Sequence, residues 1–434
     1  MTNNKVIKNA SWIIGCRIVQ AILNLVVSML TARFLGPGNF GIINYAASLV
    51  AFAVPIMQLG LSGVLVREIV TSPSEEGKTV GTSLVLSFIS SLLSVLGVTA
   101  FAFFVNAGET VTITVCFLYS LLLVFQALEM TQYWFQAKYL SKYTSLTMLA
   151  AYAVTTAYKI FLLATGKSVY WFALSYAIDY SLIAIGLLVF YKKLGTQKLS
   201  FSRKRAKELL SRSKYYIISD LMVVVFAQVS KILLKLMTED AADAAVGYYS
   251  AAINCTTVTS FVFMAIIDSM RPLILESKEK DEKAFERNQK MLYSIVIFLS
   301  LAQSLAITLL AKPLIIVLYG ADYLPALASL QVVTWYSVFS YIGSVRNIWI
   351  LAEGKQKYLW VINLMGAIFN IILNFTLIPT LGILGAAIST LTTQFFTNIV
   401  TGFIIKPIRH NNRLILESLD PRILINAFKK IIKR

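Results

Sequence analysis

The chain has 434 residues, 57% of them hydrophobic and only 14% charged, an apolar share well above that of a water-soluble globular protein. That composition defines an integral membrane protein and excludes a large soluble catalytic domain. The net charge of +18, from 39 basic and 21 acidic side chains, raises nucleic acid as a partner until the positions of those charges are considered.

A transmembrane helix needs about 20 apolar residues to cross roughly 30 Å of hydrocarbon. Apolar stretches of that order run over residues 11–30, 42–65, 82–105, 111–135, 146–165 and 170–191. After a polar interval they resume at 215–236, 246–270, 292–311, 327–351, 359–379 and 385–405. The expectation is an all-α integral membrane protein of about twelve transmembrane helices in two six-helix lobes. The N-terminal lobe takes residues 1–191, a basic linker 192–214, the C-terminal lobe 215–408 and a basic amphipathic tail 409–434. Six spans per half give both halves the same orientation, an exporter arrangement with parallel repeats. A faint internal similarity agrees: Gly41-Ile42-Ile43-Asn44-Tyr45-Ala46-Ala47 opens the second span much as Gly247-Tyr248-Tyr249-Ser250-Ala251-Ala252 opens the eighth.

Orientation follows from counting Lys and Arg in alternate connections. Thirty-one of the 39 lie in the connections on one side, three (Arg33, Lys167 and Lys312) lie on the other, and five fall inside spans. Both termini are therefore expected in the cytoplasm, in a multi-pass protein of the bacterial cytoplasmic membrane. The +18 is then mainly a topology signal, and nucleic-acid binding loses its support. Lys5 and Lys8 precede the first apolar run as in a signal peptide, but the length of the run and its internal Arg17 and Asn24 make it a retained helix. The linker, with nine Lys and Arg from Lys192 to Lys214, and the tail beyond Arg409 both read as segments at an anionic lipid surface.

The inventory is poor in reactive chemistry. Cys16, Cys116 and Cys255 lie far apart in apolar runs, and the lone histidine, His410, leaves neither a zinc cluster nor a base for a nucleophile. No catalytic residues, no metal site and no cofactor are expected, and the protein is read as a non-enzyme. Gly36-Pro37-Gly38-Asn39-Phe40-Gly41 has dinucleotide-site spacing, yet it follows a membrane helix and lacks the acidic residue about 20 positions on. It reads as a turn between the first two spans.

Charges inside spans carry the functional information, because each costs about 2.5–3.5 kcal/mol at a helix centre. The bases are Arg17, Lys159, Lys231, Lys235 and Arg346; the acids are Glu129, Asp179, Asp220 and Asp268. Helical spacing gathers Arg17, Gln20, Asn24, Ser28 and Thr31 on one face of the first span. Gln126, Glu129, Tyr133 and Gln136 line the fourth, and Tyr152, Thr155 or Thr156, and Lys159 the fifth. An Asn363, Asn370, Asn374 stripe marks the eleventh. These faces predict a polar lumen with more bases than acids, suited to a phosphate- or carboxylate-bearing cargo. Arg17, Lys159, Lys231 and Arg346 are the substrate-binding candidates, with Gln20, Asn24, Asn370 and Asn374 as lumen polar groups. Glu129, Asp179 and Asp220 are the acids that could couple transport to H⁺ or Na⁺. Competing structural readings are an internal Asp179–Lys159 ion pair and Asn or Ser side chains that bind helices together.

Several stretches also resemble a known family. They are Ala32-Arg33-Phe34-Leu35-Gly36-Pro37-Gly38-Asn39-Phe40-Gly41, Gln58-Leu59-Gly60-Leu61, Val66-Arg67-Glu68 and Tyr133-Trp134-Phe135-Gln136-Ala137. Leu318-Tyr319-Gly320-Ala321-Asp322-Tyr323, Ala352-Glu353-Gly354-Lys355, Asn370, Asn374 and the run from Ile378-Pro379 to Gly385-Ala386-Ala387 follow. Over nearly its whole length the chain resembles the polysaccharide transporter (Wzx-like) family of lipid-linked oligosaccharide flippases, within the multidrug/oligosaccharidyl-lipid/polysaccharide exporter superfamily. The resemblance implies two six-helix lobes working by alternating access around a cationic cavity. It implies translocation of undecaprenyl-diphosphate-linked oligosaccharide repeat units for O-antigen, capsule or exopolysaccharide assembly, with membrane lipids and polysaccharide polymerase machinery as partners. The alternative is a proton- or sodium-coupled small-molecule exporter of the same superfamily.

Overall fold

The computed structural model describes residues 3–239 and 241–425, with side chains over that range except at residues 3–18, 22 and 219. Among the described residues all regular structure is helical. In chain order the helices are α1 (Asn3–Gln58), α2 (Leu65–Thr71), α3 (Glu76–Val105), α4 (Thr110–Ser120), α5 (Leu122–Leu128), α6 (Gln132–Ala137), α7 (Ser141–Ala164), α8 (Val169–Leu194) and α9 (Arg203–Met237). They continue as α10 (Ala242–Thr257), α11 (Ser260–Lys280), α12 (Glu282–Leu318), α13 (Leu327–Val333), α14 (Tyr336–Ala352), α15 (Leu359–Phe395), α16 (Thr401–Ile404) and α17 (Arg409–Glu417).

Eight of these elements are long and apolar enough to cross a membrane, or nine with the bent α10–α11 pair counted as one span. Two of the eight are double. α1 breaks at Gly36, whose φ of 69° and ψ of 170° leave the helical region, and Pro37 restarts the helix where its missing N–H costs nothing. α15 breaks likewise at Gly382, after Pro379. The Gly36-Pro37-Gly38 segment is thus the bend between the first two spans, in keeping with its reading as a turn. Both breaks fall between consecutive apolar stretches of the sequence, after residue 30 and before 42, and after 379 and before 385.

α3 shows why these helices belong in lipid. Ser83, Ser87, Ser91 and Ser94 recur at helical spacing on its buried face, while Ile89, Leu92, Leu93 and Leu96 point outward, with Leu93 and Leu96 each 65% exposed. Small polar residues inside and bulky aliphatic ones outside reverse the pattern of a water-soluble bundle, and they allow close helix packing where lipid supplies no hydrophobic drive.

The chain divides into two compact units, residues 1–228 and 229–434, with the division falling inside α9. In the first unit α1 packs on α3, α4 and α7, and α8 packs on α4, α5 and α7. Its core gathers Trp134, Phe135, Leu187 and Tyr191, with the Trp134 and Tyr191 rings edge to face at 5.0 Å. In the second unit α12 packs on α11 and α14, and α15 on α10, α13 and α14. There Trp349, Tyr293 and Ile342 fill the core, beside a stacked Phe263–Tyr341 pair at 4.1 Å.

The segment read as a linker is integrated into the first unit. Gly77 and Gly81 admit its backbone: a Cβ on Gly81 would lie 2.6 Å from the Ser200 nitrogen, and Ser200 N–H donates to the Gly77 carbonyl at 3.3 Å. Thr196 donates to the buried Glu76 carboxylate at 2.8 Å, and Lys138 pairs with it at 2.6 Å. Arg205 is itself buried; it pairs with Glu68 at 3.0 Å, donates to Thr79 Oγ1 at 3.0 Å and reaches Glu208 at 3.0 Å. Arg212 takes the other Glu68 oxygen. The tail begins with α17, tied to α12 by Lys290–Glu417 at 3.1 Å and by Tyr293 donating to Asn411 Oδ1 at 2.8 Å. Residues 426–434 lie outside the described residues.

Candidate functional site

The first unit encloses a cavity of about 200 Å³, lined by Asn24, Ser28, Thr31, Asn44, Tyr119, Lys159 and Tyr176 together with Val27, Phe40, Ile43 and Ala47. Each half of α1 contributes. Asn24, Ser28 and Thr31 come from before the Gly36 break, at the three- and four-residue spacing read from sequence, and Phe40, Ile43, Asn44 and Ala47 come from after it. α4 supplies Tyr119, α7 Lys159 and α8 Tyr176.

Lys159 is the cation among the described residues of this cavity. It is 9% exposed, and its Nζ lies 3.9 Å from the centroid of the Tyr176 ring, which in turn packs on Tyr119 at 4.6 Å between ring centroids. An ammonium over an aromatic face gains stabilisation without surrendering its charge or its donors. The predicted partner chooses differently: Asp179, one helical turn beyond Tyr176, accepts from Thr155 Oγ1 at 2.8 Å, and Thr155 sits one turn before Lys159. The α7–α8 seam is thereby closed by two side-by-side contacts, Lys159 on Tyr176 and Thr155 on Asp179. Neither Lys159 nor Asp179 makes an ion pair among the described residues, so their direct pairing does not occur. The ammonium keeps its donors for the cavity.

Glu129 stands where a 3₁₀ turn, Glu129–Thr131, separates α5 from α6. It is 4% exposed and its Oε1 has no hydrogen-bond partner, an uncommon condition for a buried carboxyl group. It does not line the Lys159 cavity. Gln20 is half-buried next to Asn24's turn without reaching that lining, and Asp220 is half-buried on α9. The Arg17 side chain lies outside the described residues.

The remaining candidates belong to the second unit. Lys231 is half-buried on α9 and has no ion-pair partner among the described residues, whereas Lys235, one turn on, pairs with Asp243 at 2.7 Å. Asn374 Nδ2 donates to Ser230 Oγ at 3.1 Å and to Asn370 Oδ1 at 3.0 Å, while Asn370 Nδ2 donates to Thr393 Oγ1 at 3.1 Å. The asparagine stripe therefore binds α9 and the two arms of α15 together, the structural role weighed against a lumen role. Arg346 is 3% exposed and donates through Nη1 to the Thr397 carbonyl at 2.7 Å. Thr397 lies in a π-helical turn, Phe396–Val400, and its carbonyl also accepts from Thr401 Oγ1 at 2.6 Å. The structure thus brings Lys159 and Asn24 into one cavity and leaves Lys231, Arg346, Asn370 and Asn374 in the other unit. Asn44, Tyr119 and Tyr176 escaped the sequence reading; the three-residue offset of Tyr176 from Asp179 was the available signal.

The helical architecture is shared with solved membrane transporters. It is similar to an inward-facing multidrug resistance MATE family transporter (TM-score 0.69, 15% identity, 92% of this chain and 96% of that one) and to the lipid II flippase MurJ in an inward closed conformation (TM-score 0.68, 16% identity, 96% and 92%). The chain belongs to the polysaccharide biosynthesis protein family, whose sequence model matches residues 6–278. Among curated proteins it is similar to the probable flippase AglR of Haloferax volcanii, 27% identical over 87% of this chain and 78% of that protein. It is also 26% identical to the uncharacterized membrane protein MJ1068 of Methanocaldococcus jannaschii over 49% of this chain, a match spanning 44% of that protein's length. It is accordingly a multi-pass membrane protein of that family.

Proposed function

We propose that the protein translocates undecaprenyl-diphosphate-linked oligosaccharide repeat units across the bacterial cytoplasmic membrane by alternating access, for O-antigen, capsule or exopolysaccharide assembly. One observation carries the reading: the first unit's cavity offers an ammonium, Lys159, among amide, hydroxyl and tyrosine side chains, with no carboxylate among the described residues of its lining. Such a site favours an anionic, polyhydroxylated headgroup, since charge-assisted hydrogen bonds are about twice as strong as neutral ones. Similarity to a probable flippase and to a lipid II flippase supports the same class of cargo. The excess of basic residues in alternate connections supports cytoplasmic termini, and polysaccharide polymerase machinery is the natural recipient of the product. Coupling to H⁺ or Na⁺ is assigned to the buried Glu129 and the half-buried Asp179, with Asp220 as the third candidate.

The test is export of surface glycan in a bacterial host lacking its own flippase. The native chain restores export, and Lys159→Ala and Lys231→Ala reduce it at unchanged protein levels. Loss of one hydrogen bond to a charged group, about 1.5–3 kcal/mol, corresponds to a roughly 10- to 100-fold fall in transport. Intact export in both variants refutes the cationic site. The second reading, a proton- or sodium-coupled drug exporter, draws on the similarity to a multidrug transporter and on the buried Glu129. It takes first place if the native chain fails in several glycan backgrounds while altering drug resistance.

A further inference from the structure

A second charged feature lies outside this cavity, at the start of α9. Lys204, Lys207, Glu208, Ser211 and Arg212 line a surface groove of about 380 Å³, and their spacing of three or four residues makes them one stripe of the helix. The acidic groups there are already committed. Glu208 receives Arg205 Nη1 at 3.0 Å, and Glu68 is held by both Arg205 and Arg212. Arg203, Lys204 and Lys207 are exposed and make no ion pair among the described residues. The groove therefore presents two uncompensated ammonium groups, flanked by the Ser211 hydroxyl and the outer edge of the Arg212 guanidinium.

Its surroundings indicate which anion it meets. The segment joins two membrane-spanning helices, α8 and α9, so it lies at the level where hydrocarbon gives way to headgroups. Phe201 (55% exposed) and Tyr215 (71%) extend outward on either side of the basic stripe. Aromatic side chains beside lysines at the ends of spans belong to the headgroup layer, where ring and ammonium are both accommodated. A soluble acidic partner would leave those rings in water.

We infer that the Lys204–Lys207–Ser211–Arg212 groove binds the phosphate headgroup of an anionic membrane phospholipid and so anchors the start of α9 to the bilayer surface. The site is separate from the Lys159 cavity and does not depend on what the protein transports.

The test uses the full purified chain in detergent and follows its thermal midpoint as phosphatidylglycerol, phosphatidylcholine or inorganic phosphate is added. Phosphatidylglycerol raises the midpoint; the other two do not. A cation near an anionic lipid surface contributes about fivefold in affinity, so Lys204→Gln/Lys207→Gln raises the half-effective lipid concentration roughly 25-fold. Lys204→Arg/Lys207→Arg, which keeps the charge, responds like the native chain, as does Lys192→Gln/Lys193→Gln at the end of α8. The inference is overturned by an unchanged response in the Lys204→Gln/Lys207→Gln variant, by an equal loss in the Lys192→Gln/Lys193→Gln variant, or by an equal midpoint rise with inorganic phosphate or phosphatidylcholine.

Discussion

The clearest energetic prediction concerns Arg205, which joins the intervening basic segment to the first unit. Its guanidinium meets Glu68 through Nη2, Thr79 through Nε and Glu208 through Nη1, each at 3.0 Å, and both Arg205 and Glu68 are buried. Removing one member of a buried ion pair costs about 3–5 kcal/mol, because the other charge is left desolvated. Arg212 still reaches Glu68, so the lower end applies and Arg205→Ala should cost about 3 kcal/mol. For a unit of this size each kcal/mol moves the thermal midpoint by about 2–4 °C, giving a fall of roughly 6–12 °C. Trp134, in the core of the same unit, contributes to the intrinsic fluorescence that follows unfolding. Arg205→Lys should remain impaired, since a point charge cannot serve three acceptors at once. Arg205→Met combined with Glu68→Gln should lose less than Arg205→Ala alone, because no unpaired charge remains buried. The reasoning fails if Arg205→Ala shifts the midpoint by no more than Arg212→Ala, whose guanidinium is 58% exposed.

Further outcomes follow from the same geometry. Arg346→Gln should destabilise the second unit by about 1.5–3 kcal/mol through loss of its bond to the Thr397 carbonyl, and transport per folded molecule should persist; a pure transport defect with an unchanged thermal midpoint would show that Arg346 meets cargo. Gly60→Ala should be far more damaging than Gly36→Ala. Both have positive φ, but a Cβ at Gly60 would lie 2.5 Å from the Ser213 carbonyl oxygen, whereas at Gly36 it meets nothing within 4 Å. Positive φ alone costs of order 1–3 kcal/mol, so equal midpoints for the two variants would count against the docking of α9 there. Hydrogen bonds from Lys290 and Arg413 hold the Glu417 carboxyl below its ordinary pKa of 4.5. A carboxyl depressed on folding adds stability that is fully present above the unfolded pKa and is lost as pH falls through the folded value. The native chain should therefore lose thermal stability relative to Glu417→Gln only as pH drops below about 4.5, and a difference arising near neutral pH would contradict this assignment.

The sequence by itself determined the membrane class, the approximate limits of the apolar stretches, and the breaks at Gly36-Pro37 and near Pro379. These depend on chain-local properties: twenty-residue hydropathy, the φ freedom of glycine and the missing donor of proline. It also placed Asn24, Ser28 and Thr31 on one helical face and marked Lys159 as a charge too costly to leave in lipid, since periodicity and burial cost can be read from one strand of text. Only the tertiary structure decided which partner each polar group takes. Lys159 rests on Tyr176 and Asp179 on Thr155, although charge alone favours pairing the two; the relative rotation of α7 and α8 sets that choice, and no sequence spacing encodes it. Tertiary structure likewise assigned Arg346 to a backbone carbonyl in a π-helical turn, and made a segment that reads as a basic linker part of the first unit. Both outcomes have the same physical cause. A buried donor or acceptor must find a complement, and the nearest complement in space is fixed by helix packing rather than by distance along the chain.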